Sequence, residues 1–172
     1  MFSWIYKDKI KEEWNMNAII LPPTKKEEFH SHGNKLKVVI PSLLTNHNYG
    51  LYEIDMEPKA RGPKLHYHKL MEETFIVNKG TLTVLTIDGE TIVNEGSIIH
   101  IPKFAAHGYN NDSDEIVKMT MIFTPGQNRE DFFRKLYKAL EESPNDLRKF
   151  YNLYLENDSY PIDDNNMIPM HK

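Results

Sequence analysis

The 172-residue chain contains no cysteine. Disulfides, thiolate metal sites and a cysteine nucleophile are therefore excluded, and any metal must be held by nitrogen and oxygen donors. No uninterrupted apolar run is long enough to cross a bilayer as a helix. The start, MFSWIYKDKIKEEWNM, sets lysines and glutamates where a signal peptide needs an apolar stretch and a small-residue cleavage site. These absences predict an intracellular, cytoplasmic protein with no membrane partner. A basic surplus is missing too: the net charge is -4 with signs mixed, whereas nucleic-acid binders concentrate positive charge. With no helix-turn-helix signature and no basic recognition helix, nucleic acid is not an expected partner. Arginine is scarce in the middle of the chain, where Arg61 stands alone between residues 36 and 126. That weighs against phosphorylated or acidic substrates, although lysines can substitute as point charges.

What is present suffices for one globular domain with a real core, since 40% of the residues are hydrophobic. Residues 1–35 mix aromatic and charged positions, include the break LPPTKKEEFHSHG, and read as an extended N-terminal arm. From Leu36 the texture changes to short β-rich runs: KLKVVI, GLYEIDM, KLHYH, ETFIVN, TLTVLTI, ETIV, GSIIHI and EIVKMTMIF. Over 36–126 this is the signal of an all-β barrel or sandwich. Asp88-Gly89 marks a hairpin, and Asn78-Lys79-Gly80 reads as another. After Pro125-Gly126 the period becomes helical, with Asn128 as N-cap and Phe132, Phe133, Leu136, Tyr137 and Leu140 on one side. A second helix starts at Ser143-Pro144-Asn145-Asp146, with Leu147, Phe150, Tyr151 and Tyr154 on its apolar side. Residues 127–157 should thus be helices packed on the barrel, and 158–172 a polar, poorly ordered tail.

The stretch LHYHKLMEETF, residues 65–75, carries the first candidate chemistry. Residues two apart on a strand share a face, so His66 and His68 project together while Tyr67 points away. Alternation groups Glu73 with Phe75 and Val77 on the more apolar face, which makes Glu73 the inward carboxylate and leaves Glu72 solvated. GSIIHIPKFAAHGYNN, residues 96–111, adds His107, with Tyr109 and Asn111 on its face. Three neutral imidazoles and one carboxylate suit one divalent transition metal ion (Fe, Mn, Ni, Co, Cu or Zn) and leave coordination positions for water, dioxygen or substrate. The alternative is a barrel that keeps hydrogen-bonded polar residues without an ion. Burying such a set unpaired would be costly.

These residues resemble the two cupin motifs. His66-x-His68, four residues, Glu73, six residues and Gly80 are similar to the first. Gly96, five residues, Pro102, then His107, three residues and Asn111 are similar to the second. The resemblance implies a small β-barrel of cupin type, a double-stranded β-helix like a jelly roll, with one metal ion held by His66, His68, Glu73 and His107. NYGLYEIDMEPKARGPKLHYH before the first motif, and TPG followed by a phenylalanine-rich helix after the second, are most similar to the single-domain, quercetin-dioxygenase-like cupins. The chain departs from the pattern at two turns: Ala60 stands where the family has glycine, with Gly62 two positions later, and Phe104 replaces a second glycine.

The expected function is therefore that of a metal-dependent dioxygenase acting on a small enolisable or aromatic hydroxylated substrate, with Glu73 as ligand and base. Phe75, Phe104 and Tyr109 are candidate pocket contacts, though aromatics inside a barrel also serve as packing. A metal-dependent isomerase, decarboxylase or lyase on a small polar substrate stays open, as does a non-catalytic small-molecule-binding cupin. His30-Ser31-His32 with Glu28 reads as a solvated loop, and His100 as a hydrogen-bonded structural residue. Partners are expected to be a small-molecule substrate, dioxygen if the site oxygenates, and a second copy in a homodimer covering Trp4, Tyr6 and Trp14.

Overall fold

The described residues, 18–22 and 26–162 of this computed structural model, form eleven strands. Those at Gly50–Met56, Glu72–Lys79 and Val117–Thr124 show the alternating burial of a strand with one face on a core. In chain order the eleven begin with β1 (Glu27–Ser31), β2 (Asn34–Ile40), β3 (Gly50–Met56), β4 (His66–Tyr67), β5 (Glu72–Lys79) and β6 (Thr81–Thr86). Next come β7 (Gly89–Asn94), β8 (Ile98–Ile101), β9 (His107–Asn110) and β10 (Val117–Thr124). The helices α1 (Arg129–Glu142) and α2 (Leu147–Glu156) follow, and then β11 (Tyr160–Pro161). One antiparallel sheet has the order β1-β2-β3-β10-β5-β8, and the other β11-β4-β9-β6-β7. The result is the expected jelly-roll-like β-barrel with two C-terminal helices. No helix among the described residues is long and apolar enough to cross a membrane.

The core sits on the inner face of the larger sheet. Tyr52, Ile54 and Met56 of β3, Phe75 and Val77 of β5, and Val117, Met119, Met121 and Phe123 of β10 are all buried. Pairing sets Met121 opposite both Tyr52 and Phe75, and Phe123 opposite Glu73. A slip of one residue would turn this whole set to solvent, so hydrophobic burial fixes the register and with it the inward direction of Glu73.

The two marked turns do different work. Thr86 pairs with Gly89 across the hairpin between β6 and β7, and Gly89 takes the positive φ of 117° that the tight reversal needs. Asn78-Lys79-Gly80 is a corner, since β5 and β6 belong to different sheets. Gly80, at φ 81°, redirects the chain from one sheet to the other.

Two expected boundaries move. Residues 27–35 supply β1 and the start of β2, inside the stretch read as an arm. β1 shows little apolar alternation because it is an edge strand covered by α1: Phe29 stacks on Tyr137 at 5.4 Å, and Glu27 pairs with Arg134 at 2.7 Å. Residues 158–162 are likewise part of the fold, with Asp158 and Ser159 buried and β11 paired to β4. The Asp158 carboxylate holds this segment by accepting the backbone N–H groups of Lys69, Leu70 and Met71 at 3.0, 2.9 and 3.1 Å. Trp4, Tyr6 and Trp14, and the tail beyond 162, lie outside the described residues.

The apolar face of α1 (Phe132, Phe133, Leu136, Tyr137 and Leu140) is buried. Asn128 takes the N-cap position but makes no side-chain cap. Glu130 in the first turn is buried instead and accepts from the Tyr52 hydroxyl at 2.7 Å and from Ser42 Oγ and N at 2.9 and 3.3 Å. A carboxylate at a helix N-terminus is favoured by the helix dipole. In α2, Asp146 caps by accepting the Lys149 N–H at 3.0 Å. The buried face of α2 is Phe150, Leu153 and Tyr154, rotated from the expected one because Leu147, at the first helical position, is exposed.

Glu130 ties α1 to β3, so Glu130→Ala leaves two buried hydroxyls and an N–H without their acceptor. We expect a loss of about 3 kcal/mol in unfolding free energy, read by denaturant titration. A change within experimental error would contradict this role.

Candidate metal centre

Both sheets deliver side chains to one point. β4 pairs with β9 so that His66 lies opposite His107. His68 follows two residues later, and Glu73 arrives from β5 of the other sheet. The segment before His66 can press against β9 because two glycines are there. A Cβ on Gly62 would lie 2.4 Å from the Tyr109 carbonyl oxygen, and one on Gly108 2.5 Å from that of Pro63. His66, His68, Glu73 and His107 are all buried, and one ligand atom from each lies within 4.8 Å of the others.

The backbone dictates which imidazole nitrogen is free. Nδ1 of His66 faces the Lys64 carbonyl at 2.8 Å, Nδ1 of His107 the Ala105 carbonyl at 3.0 Å, and Nδ1 of His68 the Asp158 carbonyl. A carbonyl accepts, so each Nδ1 must donate, and each Nε2 is left with a lone pair. The Nε2 atoms of His107 and His68 face the same Glu73 oxygen at 2.5 and 3.3 Å. Lone pairs facing a carboxylate oxygen require a proton or a cation among them. A divalent transition ion meets three imidazole nitrogens and a carboxylate with their preferred ligand chemistry, so the residues fit a metal.

Two members of the group are strongly shifted by their surroundings. Burial, followed by the neighbouring His107 and His68, holds His66 well below the usual imidazole range, which keeps it neutral. Burial pushes the Glu73 carboxyl up, but His107 and His68 outweigh that and hold it well below the usual carboxylate range. Glu73 is thus ionised and His66 unprotonated at neutral pH.

The other sequence candidates separate. Glu72 lies on the opposite face from Glu73 and pairs with His100 at 3.8 Å on the outer surface. Tyr67 stacks on Tyr160 at 5.3 Å, away from the centre. Tyr109 is buried and lines the interior cavity beside the cluster. Phe75 is fully buried behind it, edge-on to the Tyr109 ring at 5.3 Å, and is packing. Phe104 is 65% exposed at φ 67° and lies outside the cavity wall; its turn directs the ring outward. Glu28 pairs with His30 and Lys35 on the surface, and these residues form no ligand group. Asn111 donates to the Met56, Glu57 and Glu115 carbonyls and serves the turn architecture.

Two residues outside the motifs belong to the site. Asp158 orients His68 through its carbonyl while its carboxylate grips the turn after His68. Arg129, at the start of α1, lines the same cavity as His66 and Glu73, and is 4% exposed. The cavity is small, about 40 Å³. Apart from Asn34, its wall is otherwise apolar and aromatic, including Leu36, Ile54, Phe123, Phe132 and Phe133. Burial keeps its tyrosine hydroxyls protonated, Tyr154 being pushed up to about 12 and Tyr109 raised further by Glu73. Glu73 is therefore the sole ionised acid of that wall among the described residues.

Residues 52–123 match the family described as Cupin domain. No curated protein sequence matches the chain. Among solved structures, a cupin-superfamily sugar phosphate isomerase from Silicibacter pomeroyi is similar, with 18% identity and a TM-score of 0.55 over 63% of this chain and 77% of that one. The polyketide cyclase RemF from Streptomyces resistomycificus has 13% identity and a TM-score of 0.55, over 69% and 94% of the two chains. A nucleoside dehydratase from Streptomyces has 18% identity and a TM-score of 0.51, over 67% and 88%. At these identities the likeness is one of fold, and the fold is the cupin jelly roll.

Elemental analysis of protein purified without chelator should find one transition ion per chain, lost in His66→Ala and Glu73→Ala. Asp158→Ala should weaken the affinity by about tenfold to a hundredfold through His68. Variants that keep the parent's metal content would refute the assignment.

The metal-free protein should lose stability in acid. The folded state resists protonating His66 below its ordinary 6.5, and Glu73 below 4.5, while the unfolded chain takes up both protons. Stability from His66 therefore begins to be lost as pH falls below 6.5, and that from Glu73 below 4.5, each loss continuing down to the lower value held in the folded state. Thermal melts in chelator between pH 7 and 5 should therefore move downward, and His66→Asn should flatten the trend. A parent melting point that rises toward pH 5 would contradict it.

Proposed function

We propose that the protein is a metal-dependent cupin enzyme, a dioxygenase acting on a compact enolisable or aromatic hydroxylated substrate. The observation that supports this most is the pairing of a donor set fit for a metal with a mostly apolar, aromatic cavity in which Glu73 is the sole ionised acid among the described residues. Chemistry on a polar sugar would require many hydrogen-bonding groups to replace water, and this wall offers few.

A divalent ion bound there would supply Lewis acidity toward a coordinated enolate or hydroxyl. The chain's own residues do the rest. Glu73, ionised and next to the open side of the cluster, accepts the proton of the substrate hydroxyl or enolisable carbon. Phe123, Phe132 and Phe133 exclude water from the reacting end. The small volume favours the compact members of the substrate class.

A second reading, a metal-dependent isomerase, decarboxylase or lyase, is favoured by Arg129, because a cation in the cavity suits an acidic substrate. The varied chemistry of the similar structures, isomerase, cyclase and dehydratase, is compatible with it.

Oxygen uptake separates the two. Protein loaded in turn with Fe, Mn, Co, Ni and Cu should consume dioxygen with acetylacetone or an aromatic diol in at least one metal form. Glu73→Gln should lower turnover about a hundredfold or more. Turnover of a substrate without oxygen consumption would replace the first reading by the second.

A further inference from the structure

Arg129 is an unusual residue for its place. It is 4% exposed, and no carboxylate lies within salt-bridge distance of its guanidinium among the described residues. One Nη donates to the Asn157 carbonyl at 2.7 Å and the other to Ser159 Oγ at 3.0 Å, both neutral acceptors. Its Nε is buried without any hydrogen-bond partner. The guanidinium lies over the rings of Phe132 at 4.0 Å and Phe123 at 4.9 Å, which orients the plane but does not neutralise the charge. Burying an unpaired cation is expensive unless something else compensates it.

The surroundings show what that would be. Arg129 shares its cavity with His66 and Glu73, and the remaining wall is mostly apolar. Glu73 and Asp158 each set a negative charge within reach of this arginine, the Asp158 carboxylate already accepting three backbone N–H groups, and a divalent ion at the cluster would add two positive charges. An anionic ligand restores the balance. The planar fork of arginine is built to meet a carboxylate, and the free Nε–H is an unspent donor in that fork.

We infer that Arg129 is the anion-binding residue of this site, and that the substrate is a small organic carboxylate whose anionic end meets Arg129 while its enolisable or hydroxylated end reaches the His/Glu cluster. This rests on the proposed function for the chemistry at the cluster, but the arginine half of the site stands by itself. It also accounts for an acidic substrate in a barrel whose one arginine, Arg61, is spent on the surface with Asp112 at 2.6 Å.

The test compares two ligands that differ in the carboxylate. Acetylacetone and acetopyruvate share an enolisable diketone, and acetopyruvate has a carboxylate in place of one methyl. Binding is measured by calorimetry on protein loaded with zinc, which is redox-inert, and on metal-free protein. The parent should prefer acetopyruvate over acetylacetone by about tenfold or more, and Arg129→Gln should bring that ratio of affinities to about one. Equal binding of the two ligands by the parent, no binding of acetopyruvate, or a preference that survives in Arg129→Gln would overturn the inference. Should that variant fail to fold, the parent still decides: the Arg129 Nε–H proton resonance should move on titration with acetopyruvate and not with acetylacetone, and a stationary resonance would overturn it. If the protein takes up no metal yet keeps an arginine-dependent preference, the metal-enzyme reading fails and this one stands.

Discussion

Three main-chain carbonyls, those of Lys64, Ala105 and Asp158, govern the interior of this barrel. By accepting from Nδ1 they fix the tautomers of three histidines, and so leave three Nε2 lone pairs in one cluster, those of His68 and His107 facing the Glu73 carboxylate. An imidazole free to rotate would relieve the repulsion by presenting an N–H to Glu73. The backbone removes that escape for each ring, and the barrel walls keep out the water that could otherwise screen the contact. A cation is then the simplest way to satisfy the cluster as a whole.

Holding those carbonyls in place is the work of parts that look unrelated to it. Gly62 and Gly108 let the approach to His66 lie flat on β9. Asp158 grips the turn after His68 from the far end of the chain, and Arg129 grips the flanking Asn157 and Ser159. Helix α1 therefore has two duties: its aromatic face seals the barrel, and its first turn reaches the cluster along a chain of contacts from Arg129 through residues 157–159 to His68. A charge placed there is costly in a core, and ring stacking with two neutral hydrogen bonds offsets only part of that cost.

Much of this was legible in the amino-acid order. Period-two alternation located the central strands and selected Glu73 over Glu72, because burial on one side of a pleated strand leaves that imprint. The common direction of His66 and His68 was legible because side chains two apart on a strand share a face whatever the tertiary context, whereas His107 joins them through the spacing of a second, distant stretch. The polar pieces were not. β1 hides its strand character beneath α1, so Glu27 and Glu28 look like solvent-facing charges. Asp158 stands in a run of polar residues indistinguishable from a loose tail, and its meaning exists only against the turn after His68. Arg129, followed by Glu130 and Asp131, reads as the solvated start of a helix, while its neighbour Glu130 is spent on Tyr52 and Ser42. Phe104 misled in the opposite direction, since a motif position says nothing about which way a ring in a left-handed turn will face.

The contact between His68 and Asp158 spans ninety residues of chain. Glu73 and His107 are likewise far apart along the chain, so a local fragment can carry His66, His68 and Glu73 but not the complete group. Loop-closure entropy must be met before any of these contacts forms. The complete four-residue group is therefore a property of the finished topology, and a partly folded chain lacks His107 beside the other three. The same bond makes capture of an ion report on the whole molecule: an occupied centre certifies that the barrel has closed, that the helices have docked, and that the residues beyond them have returned to β4.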